Sequence, residues 1–412
     1  MHSFAILFLA FFTLSIVIKF WLSQRHLSHI QKNRAQVPEA FKEKISLADH
    51  QKAADYTTTK VKFGRWPLIY DAIITLIWLF AGGLELLDQS ARGYLPDPIY
   101  TGILVIFSMM FISSLLDLPF SLYSTFVIEE KYGFNRTTLK TVILDMLKGA
   151  ALSIVLGVPL IWVVLWLMEQ AGDLWWLYTW AVLTAFSLFI AWAYPTWIAP
   201  LFNKFSPLEE GDTLSRIKNL LGRCGFNSDG IFVIDGSKRS SHGNAYFSGF
   251  GRNKRIVFYD TLLESLNDDE LEAVLAHELG HFKRRHIIKG MAISFATTLI
   301  GLAVLAWLMN APWFYSAFGI SEKSDYMALL LFSIVTPAFT FLLSPIMSMF
   351  SRKNEFEADD YAAEQSEARF LIQALVNMYK ENASTLTPDP LYSAFYDSHP
   401  PAPVRIAHLT KQ

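Results

Sequence analysis

Apolar residues in this chain gather into long blocks that polar stretches separate. A helix needs about 20 mostly apolar residues to cross a bilayer core, so blocks of that length indicate membrane spans. Seven blocks meet this requirement, at residues 4–22, 68–87, 99–128, 150–168, 174–201, 287–309 and 326–350. The pattern therefore predicts a mainly α, multi-pass membrane protein with seven transmembrane helices.

The first block differs from a cleaved signal peptide. It lacks a positively charged stretch at its start, and Lys19, Trp21 and Arg25 stand at its end in place of the small residues of a cleavage site. We expect it to remain as the first span.

Polar stretches divide the chain into four parts. Residues 1–201 hold spans 1 to 5 with their loops, and residues 202–286 form a first soluble segment. Spans 6 and 7 occupy residues 287–350, and residues 351–412 form a second soluble segment.

Three short β-strands are predicted in the first soluble segment. The runs 231–234, 244–248 and 255–259 are rich in β-branched and aromatic residues and lie between turn-rich stretches. We therefore expect a small α+β domain, in which a sheet edge offers a place for an extended peptide.

The distribution of Lys and Arg predicts the orientation, because loops rich in these residues stay on the cytoplasmic side. The first and third connections carry most of them, namely Lys32, Arg34, Lys42, Lys44, Lys52, Lys60, Lys62, Lys131, Arg136, Lys140 and Lys148. With seven spans, this places the N-terminus outside and both soluble segments at the cytoplasmic face.

Composition and charge indicate which partners and metal ligands this chain can have. Hydrophobic residues make up 52% of the chain, above the about 45–50% of soluble domains, so membrane lipid is an expected partner. The net charge of −2 gives no basic field for nucleic acid, which we exclude as a partner. Cys224 is the only cysteine, so a metal site in this chain needs His and carboxylate ligands.

A motif typical of zinc peptidases precedes the sixth block. Asn267 and Glu270 fit a capping box, which predicts that a helix begins here. On that helix His277 and His281 lie four residues apart on one face, where both imidazoles can bind one ion. Glu278 then lies beside the metal's water as general base, which is the HExxH arrangement.

A catalytic zinc also needs a third protein ligand. The stretch 351–362 predicts a helix with carboxylates on more than one face. Glu355 and Asp359 are four residues apart, so one can bind the metal while the other accepts the free ring N–H of a ligand histidine. Glu357 is a rival ligand, although it points away from the face that these two share.

Four motifs in order carry a resemblance to a known family: SKRSSHGNAYF at 237–247, HELGH at 277–281, NEFEAD at 354–359, and SHPP at 398–401 with Arg405 beyond it. Together with the seven spans they resemble the type I CAAX prenyl endopeptidases over nearly the whole chain. The resemblance implies an integral-membrane zinc (Zn²⁺) metalloprotease whose helices surround a water-filled chamber beside a zincin-like catalytic domain. It also implies a prenylated protein C-terminus as substrate, from which the last three residues are removed.

The same resemblance implies particular roles. It makes Glu355 the third metal ligand and Asp359 the residue that supports the ligands. It also implies that Asn244 holds the substrate backbone, that His399 stabilises the oxyanion, and that Arg405 supports that corner of the site. Without the resemblance, a histidine before proline, such as His399, is typical of a surface turn. Gly243 stands where many members have a polar residue.

Two alternatives stay open at this stage. A bacterial source would favour a membrane-protein quality-control protease of the same zinc class in the inner membrane, and a eukaryotic source would favour the endoplasmic reticulum. A non-catalytic transporter or scaffold is the alternative from a different class, with Asp117 inside the third block as its ion or solute contact.

Overall fold

The structure is a computed structural model that describes residues 2–226, 230–249 and 254–411. Within these residues seven helices are long and apolar enough to cross a membrane. They are spans 1 to 7, at Ser3–Asn33, Leu47–Phe80, Pro98–Tyr132, Leu139–Gln170, Gly172–Phe202, His286–Met309 and Asp325–Gln365. The predicted seven-span, mainly helical fold is confirmed.

The first connection is shorter than the apolar pattern indicated. Span 1 continues to Asn33, and span 2 begins at Leu47 after Ser46, whose hydroxyl accepts a hydrogen bond from the backbone N–H of Asp49. The second apolar block is interrupted at Gly82, where a φ of 79° ends the span before a separate helix, Gly83–Tyr94. The apolar blocks mark only the parts of the helices that contact lipid. The helices themselves continue beyond these blocks as polar turns.

Span 7 continues directly into the second soluble segment. It consists of the helices Asp325–Thr340 and Ser344–Gln365, joined by a tighter turn at Phe341–Leu343. The helix that carries Glu355 and Asp359 is therefore an extension of a membrane span.

A four-stranded sheet lies in the first soluble segment. Its strands are β1 (Phe205–Pro207), β2 (Ile231–Ile234), β3 (Ala245–Ser248) and β4 (Arg255–Tyr259), in the order β1-β2-β4-β3. β2 and β4 are parallel, and the other two pairs are antiparallel. Three strands occur where the sequence predicted them, and the sequence analysis missed the short β1.

One hydrophobic core joins the two soluble segments. Ile256 and Phe258 of β4 pack in it with Ala276 from the first segment and with Ala374 and Ala402 from the second. The helices that contribute to this core are Asp212–Cys224, Asp260–Ser265, Asp268–Lys283, Ser344–Gln365, Ala368–Glu381 and Ala402–Leu409, and the second segment also contains the helix Pro390–Tyr396. The predicted α+β catalytic domain is thus built from both sides of spans 6 and 7.

Cavities lie among the spans. One of about 860 Å³ borders spans 1 and 2, and another of about 360 Å³ lies between spans 1, 2, 3 and 7. Both are lined by Lys19 and Asp71, and the second is also lined by Asp117. Charged groups within the spans therefore line cavities, where they are less costly than in lipid.

Candidate active site

The HELGH helix, Asp268–Lys283, begins with the capping box that the sequence predicted. The Asn267 side chain accepts a hydrogen bond from Glu270 N at 3.0 Å, and the Glu270 carboxylate accepts one from Asn267 N at 3.2 Å. The Glu270 carboxylate also accepts a bond from Asn377 Nδ2 at 2.8 Å. Leu275 and Leu279 bury the opposite face of the helix, so its histidines are held on a fixed backbone.

Three side chains converge at one point above this helix. The Nε2 atoms of His277 and His281 are 3.2 Å apart, and the Glu355 carboxylate lies 3.5 Å from the first and 3.3 Å from the second. Such separations match the edges, about 3.3–3.4 Å, of a tetrahedron whose corners lie about 2.0–2.1 Å from a central metal. Glu355 Oε2 is buried, and no group of the described residues forms a hydrogen bond with it. This residue set therefore fits a metal ion.

A glycine brings the third of these side chains close enough. A Cβ atom on Gly280 would lie only 2.9 Å from Cα and 3.0 Å from the carbonyl oxygen of Ala358. The HELGH helix and the extension of span 7 can therefore pack backbone against backbone. This close approach places Glu355 opposite the two imidazoles.

Asp359 and Arg405 fix the orientation of His277 through the Nδ1 side of its ring. His277 Nδ1 lies 2.8 Å from Asp359 Oδ1, and Arg405 binds both Asp359 oxygens, with Nε at 2.9 Å and Nη2 at 2.5 Å. Arg405 Nη2 also comes within 3.2 Å of His277 Nδ1, but that nitrogen donates to Asp359 and accepts nothing. All three residues are buried, so the imidazole keeps the tautomer that leaves Nε2 free for a metal.

Burial lowers the pKa values of His277 and Arg405, whereas hydrogen bonds to neighbouring carboxylates raise them. Burial would lower the pKa of His277, and so would the Arg405 cation, but hydrogen bonds to Asp359 and Glu355 raise that pKa above its usual value. Burial would also lower the pKa of Arg405, but the hydrogen bonds to Asp359 raise it. Arg405 therefore stays a cation that balances the buried carboxylates.

His281 has a different support, which the sequence analysis missed. Its Nδ1 lies 3.0 Å from His286 Nδ1, and His286 Nε2 lies 3.1 Å from Glu357 Oε2. His286 is buried at the start of span 6, and the preceding Arg285 has a φ of 58° that separates the HELGH helix from this span. Glu357, a rival ligand in the sequence analysis, thus contacts His286 rather than the ligand cluster.

The other predicted site residues, Glu278, His399 and Asn244, lie outside the cluster of candidate metal ligands. Glu278 is half-buried, and among the described residues no hydrogen bond or ion pair engages its carboxylate. His399 is 65% exposed, with Nε2 at 3.3 Å from Glu355 Oε1 and Nδ1 at 2.9 Å from Ser398 Oγ. Asn244 is exposed just before β3, where its side chain accepts a bond from Ala245 N, and it has no hydrogen bond to the ligand cluster.

The fold and this site define a class of protein, a multi-pass membrane metallopeptidase of the HExxH type. Comparison with known proteins agrees. Residues 26–204 match a domain described as the CAAX prenyl protease N-terminal, five membrane helices. Residues 207–412 match Peptidase family M48.

Relatives and a solved structure match nearly the whole chain. "CAAX prenyl protease 1 homolog" of Dictyostelium discoideum is 34% identical, with 100% of this chain and 98% of that protein covered. "CAAX prenyl protease 1" of Saccharomyces cerevisiae is 34% identical, with 92% and 89% covered. The crystal structure of S. mikatae Ste24p superposes with a TM-score of 0.94 at 31% identity and covers 99% of both chains.

The chain belongs to peptidase family M48, with the N-terminal domain of the CAAX prenyl proteases. It is an integral-membrane metalloendopeptidase, and the enzymatic prediction is confirmed over the transporter or scaffold.

Proposed function

We propose that the metal is zinc, that His277, His281 and Glu355 hold it, and that the enzyme removes the C-terminal tripeptide from prenylated proteins. The convergence of two imidazole nitrogens and one unpartnered buried carboxylate oxygen carries this proposal. Three protein ligands of this kind, with a fourth position left for water, are typical of catalytic zinc. The substrate follows from the relatives, which are named as CAAX prenyl proteases.

Glu278 is the proposed general base. Bound zinc would supply Lewis acidity to the attacking water and to the scissile carbonyl. Glu278 takes the proton from that water and delivers it to the leaving amine, a role worth about 10²–10⁴-fold in rate. Its carboxylate is free for this because no described residue engages it.

Further residues position the ligands and the substrate. Asp359 and Arg405 keep His277 in one tautomer, as their short hydrogen bonds indicate. His399 is exposed beside Glu355 and can donate a hydrogen bond to the developing oxyanion. Asn244 stands at the start of the edge strand β3, where its amide can bind the backbone of a peptide that adds to that edge.

The catalytic domain is proposed to lie at the cytoplasmic face, with the N-terminus outside. The basic first and third connections support this orientation. Residues 202–286 and 351–412 form the catalytic domain in this proposal, and the spans within 1–201 and 287–350 form the membrane part. The endoplasmic reticulum fits the relatives from eukaryotes.

Metal content and cleavage of matched peptides test the proposal. We expect one zinc per purified chain and cleavage of a peptide with S-farnesyl cysteine three residues from its C-terminus, with release of the intact tripeptide. A quality-control protease would instead cut an unlipidated membrane segment at internal bonds and ignore the farnesyl group. Purified protein that contains stoichiometric zinc but leaves the farnesylated peptide intact would refute the proposed substrate.

A further inference from the structure

The imidazole of His399 is mostly exposed, so the backbone that carries it largely determines where it stands. Its Nε2 lies 3.3 Å from Glu355 Oε1, and its Nδ1 lies 2.9 Å from Oγ of Ser398, which is itself exposed. A donor that stabilises an oxyanion must already be in place before the charge develops. The contacts that fix the chain around His399 therefore matter for the proposed chemistry.

The helix before this histidine, Pro390–Tyr396, has only 7 residues. Isolated helices this short are unstable in water, so its place depends on contacts with the rest of the molecule. At its start, the Asp389 carboxylate accepts hydrogen bonds from Leu391 N and Tyr392 N, at 3.1 and 2.9 Å. Arg25 of span 1 binds the same carboxylate, with Nε at 3.3 Å and Nη2 at 3.0 Å. Span 1 thus fixes the first turn of this helix.

Arg352 holds the other end of the helix. Its Nη1 hydrogens are shared among three backbone carbonyls, those of Ser393 at 3.1 Å, Ala394 at 3.4 Å and Asp397 at 3.2 Å. Carbonyls in the last turn of a helix lack partners within the helix, and the helix dipole also favours a cation there. Asp397 lies two residues before His399, so these bonds fix the chain immediately before the imidazole.

Arg352 also lies on the helix that supplies a candidate metal ligand. It stands three residues before Glu355 on Ser344–Gln365, and residues three apart are neighbours on one helical face. Resting on the oxyanion role that the proposed function gives His399, we infer that Arg352 is a positioning residue of the active site. It holds the stretch 397–399 so that the imidazole reaches the carbonyl oxygen of a peptide at the metal.

The chain after His399 is fixed independently of Arg352. Ala402 N donates a hydrogen bond to Tyr379 Oη at 3.0 Å, and the helix that follows carries Arg405, which binds Asp359. Loss of Arg352 would therefore free the stretch 397–401 at one end only. We expect the catalytic domain of such a variant to remain folded with its metal bound.

Arg352→Met tests the inference, because it keeps an apolar stem and removes every donor. We expect kcat to fall about tenfold or more, since a catalytic group misplaced by about 1 Å can cost about 10²-fold. KM should stay within about twofold and zinc content near one per chain, as expected when only the transition state loses a contact. Arg352→Lys should recover part of the loss, because an ammonium group can donate to the same carbonyls.

Arg369→Met is the matched control, because Arg369 is exposed in the same soluble segment. It should leave kcat, KM and zinc content unchanged. An Arg352→Met enzyme with the kcat of this control would overturn the inference. So would an Arg352→Met enzyme that loses zinc in proportion to activity, because Arg352 would then support the metal ligands and not His399.

A double-mutant cycle with His399→Ala distinguishes positioning from a general structural role. If Arg352 acts through His399, Arg352→Met should change kcat by less than about twofold in a His399→Ala enzyme. Losses that multiply in the double variant would overturn the inference and leave the oxyanion role of His399 intact. Normal kcat in His399→Ala alone would refute that role, and Arg352 would then have no catalytic group to position.

The cycle does not depend on the proposed substrate. Every peptide hydrolysis develops negative charge on the carbonyl oxygen, so any peptide that the enzyme cuts can be used. An enzyme that leaves the S-farnesyl peptide intact but cuts an unlipidated membrane segment would refute the proposed substrate. The same cycle, measured on that segment, would still decide whether Arg352 positions His399.

Discussion

At the scale of single residues, one helix supplies carboxylates to several parts of the candidate metal site. Glu355 faces both imidazoles, and Asp359 binds the far nitrogen of His277. Glu357 lies more than half a turn from Glu355, on another side of the helix. It reaches His281 only through the imidazole of His286.

Glu278→Gln should separate catalysis from metal binding. The amide cannot accept the proton from water, so we expect kcat to fall by about 10²–10⁴-fold while zinc content stays near one per chain. Single-turnover cleavage and metal analysis on the same preparation measure both effects. Retained turnover in a zinc-loaded variant would assign the base to another group.

His286→Ala should weaken zinc binding. Removing the group that orients a ligand histidine typically costs about 10–100-fold in metal affinity, and zinc competition with a chelator measures it directly. Glu357→Gln should have an effect in the same direction. Glu364→Gln is the matched control, because Glu364 is exposed on the same helix. Equal zinc affinity in all three variants would mean that His286 has only a structural role.

The candidate ligands His277 and His281 could be predicted from sequence because residues four apart share a helical face whatever surrounds the helix. The choice of Glu355 over Asp359 as the third ligand came from the family resemblance. His286 could not be predicted in the same way. It lies five residues beyond His281 and reaches it across the break between two helices at Arg285. Asn244 and His399 came from the family resemblance, since no local pattern specifies which loops border the site.

At the scale of elements, the contact between the HELGH helix and the extension of span 7 determines the site. Gly280 allows this contact, as its missing Cβ would meet the Ala358 backbone. A sequence pattern shows that a helix contains glycine but not which helix packs on it. The ends of the spans were also not predictable from sequence, because the helices continue beyond the apolar blocks as polar turns.

Gly280→Ala should therefore damage both stability and metal binding. Overpacking against backbone costs about 1–3 kcal/mol, and here it would also push Glu355 away from the imidazoles. Thermal unfolding and zinc affinity should both decrease. Gly222→Ala is the control, because nothing lies within 4 Å of a Cβ at that helical position. A Gly280→Ala enzyme with unchanged zinc affinity would show that the helix contact tolerates a methyl group.

At the scale of the whole molecule, the catalytic domain forms from two segments that spans 6 and 7 separate. Ile256 and Ala374 share one core although the two spans lie between them in the chain. The active site can therefore form only after both spans have inserted, with both segments on the same side of the membrane. The seven spans were predictable because bilayer thickness imposes their length, whereas the shared core depends on long-range packing.

Labelling from one side of the membrane should reveal the orientation. In a Cys224→Ala background, Tyr94→Cys places a thiol at an 83% exposed position between spans 2 and 3, and Glu39→Cys places one between spans 1 and 2. In sealed vesicles with the outer face exposed, an impermeant maleimide should label the first and spare the second. The reverse pattern would place the catalytic domain on the outside.

The course of span 7 from Asp325 to Gln365, which continues through the tighter turn at Phe341–Leu343, connects bilayer thickness to the chemistry. A helix accommodates a thicker or thinner hydrocarbon layer by changing its tilt. Because Glu355 lies on the second helix of this span, we expect a tilt of the span to displace this carboxylate relative to the imidazoles of the HELGH helix. Reconstitution in lipids of graded acyl length should therefore give an optimum, with zinc retention and turnover declining together on either side of it.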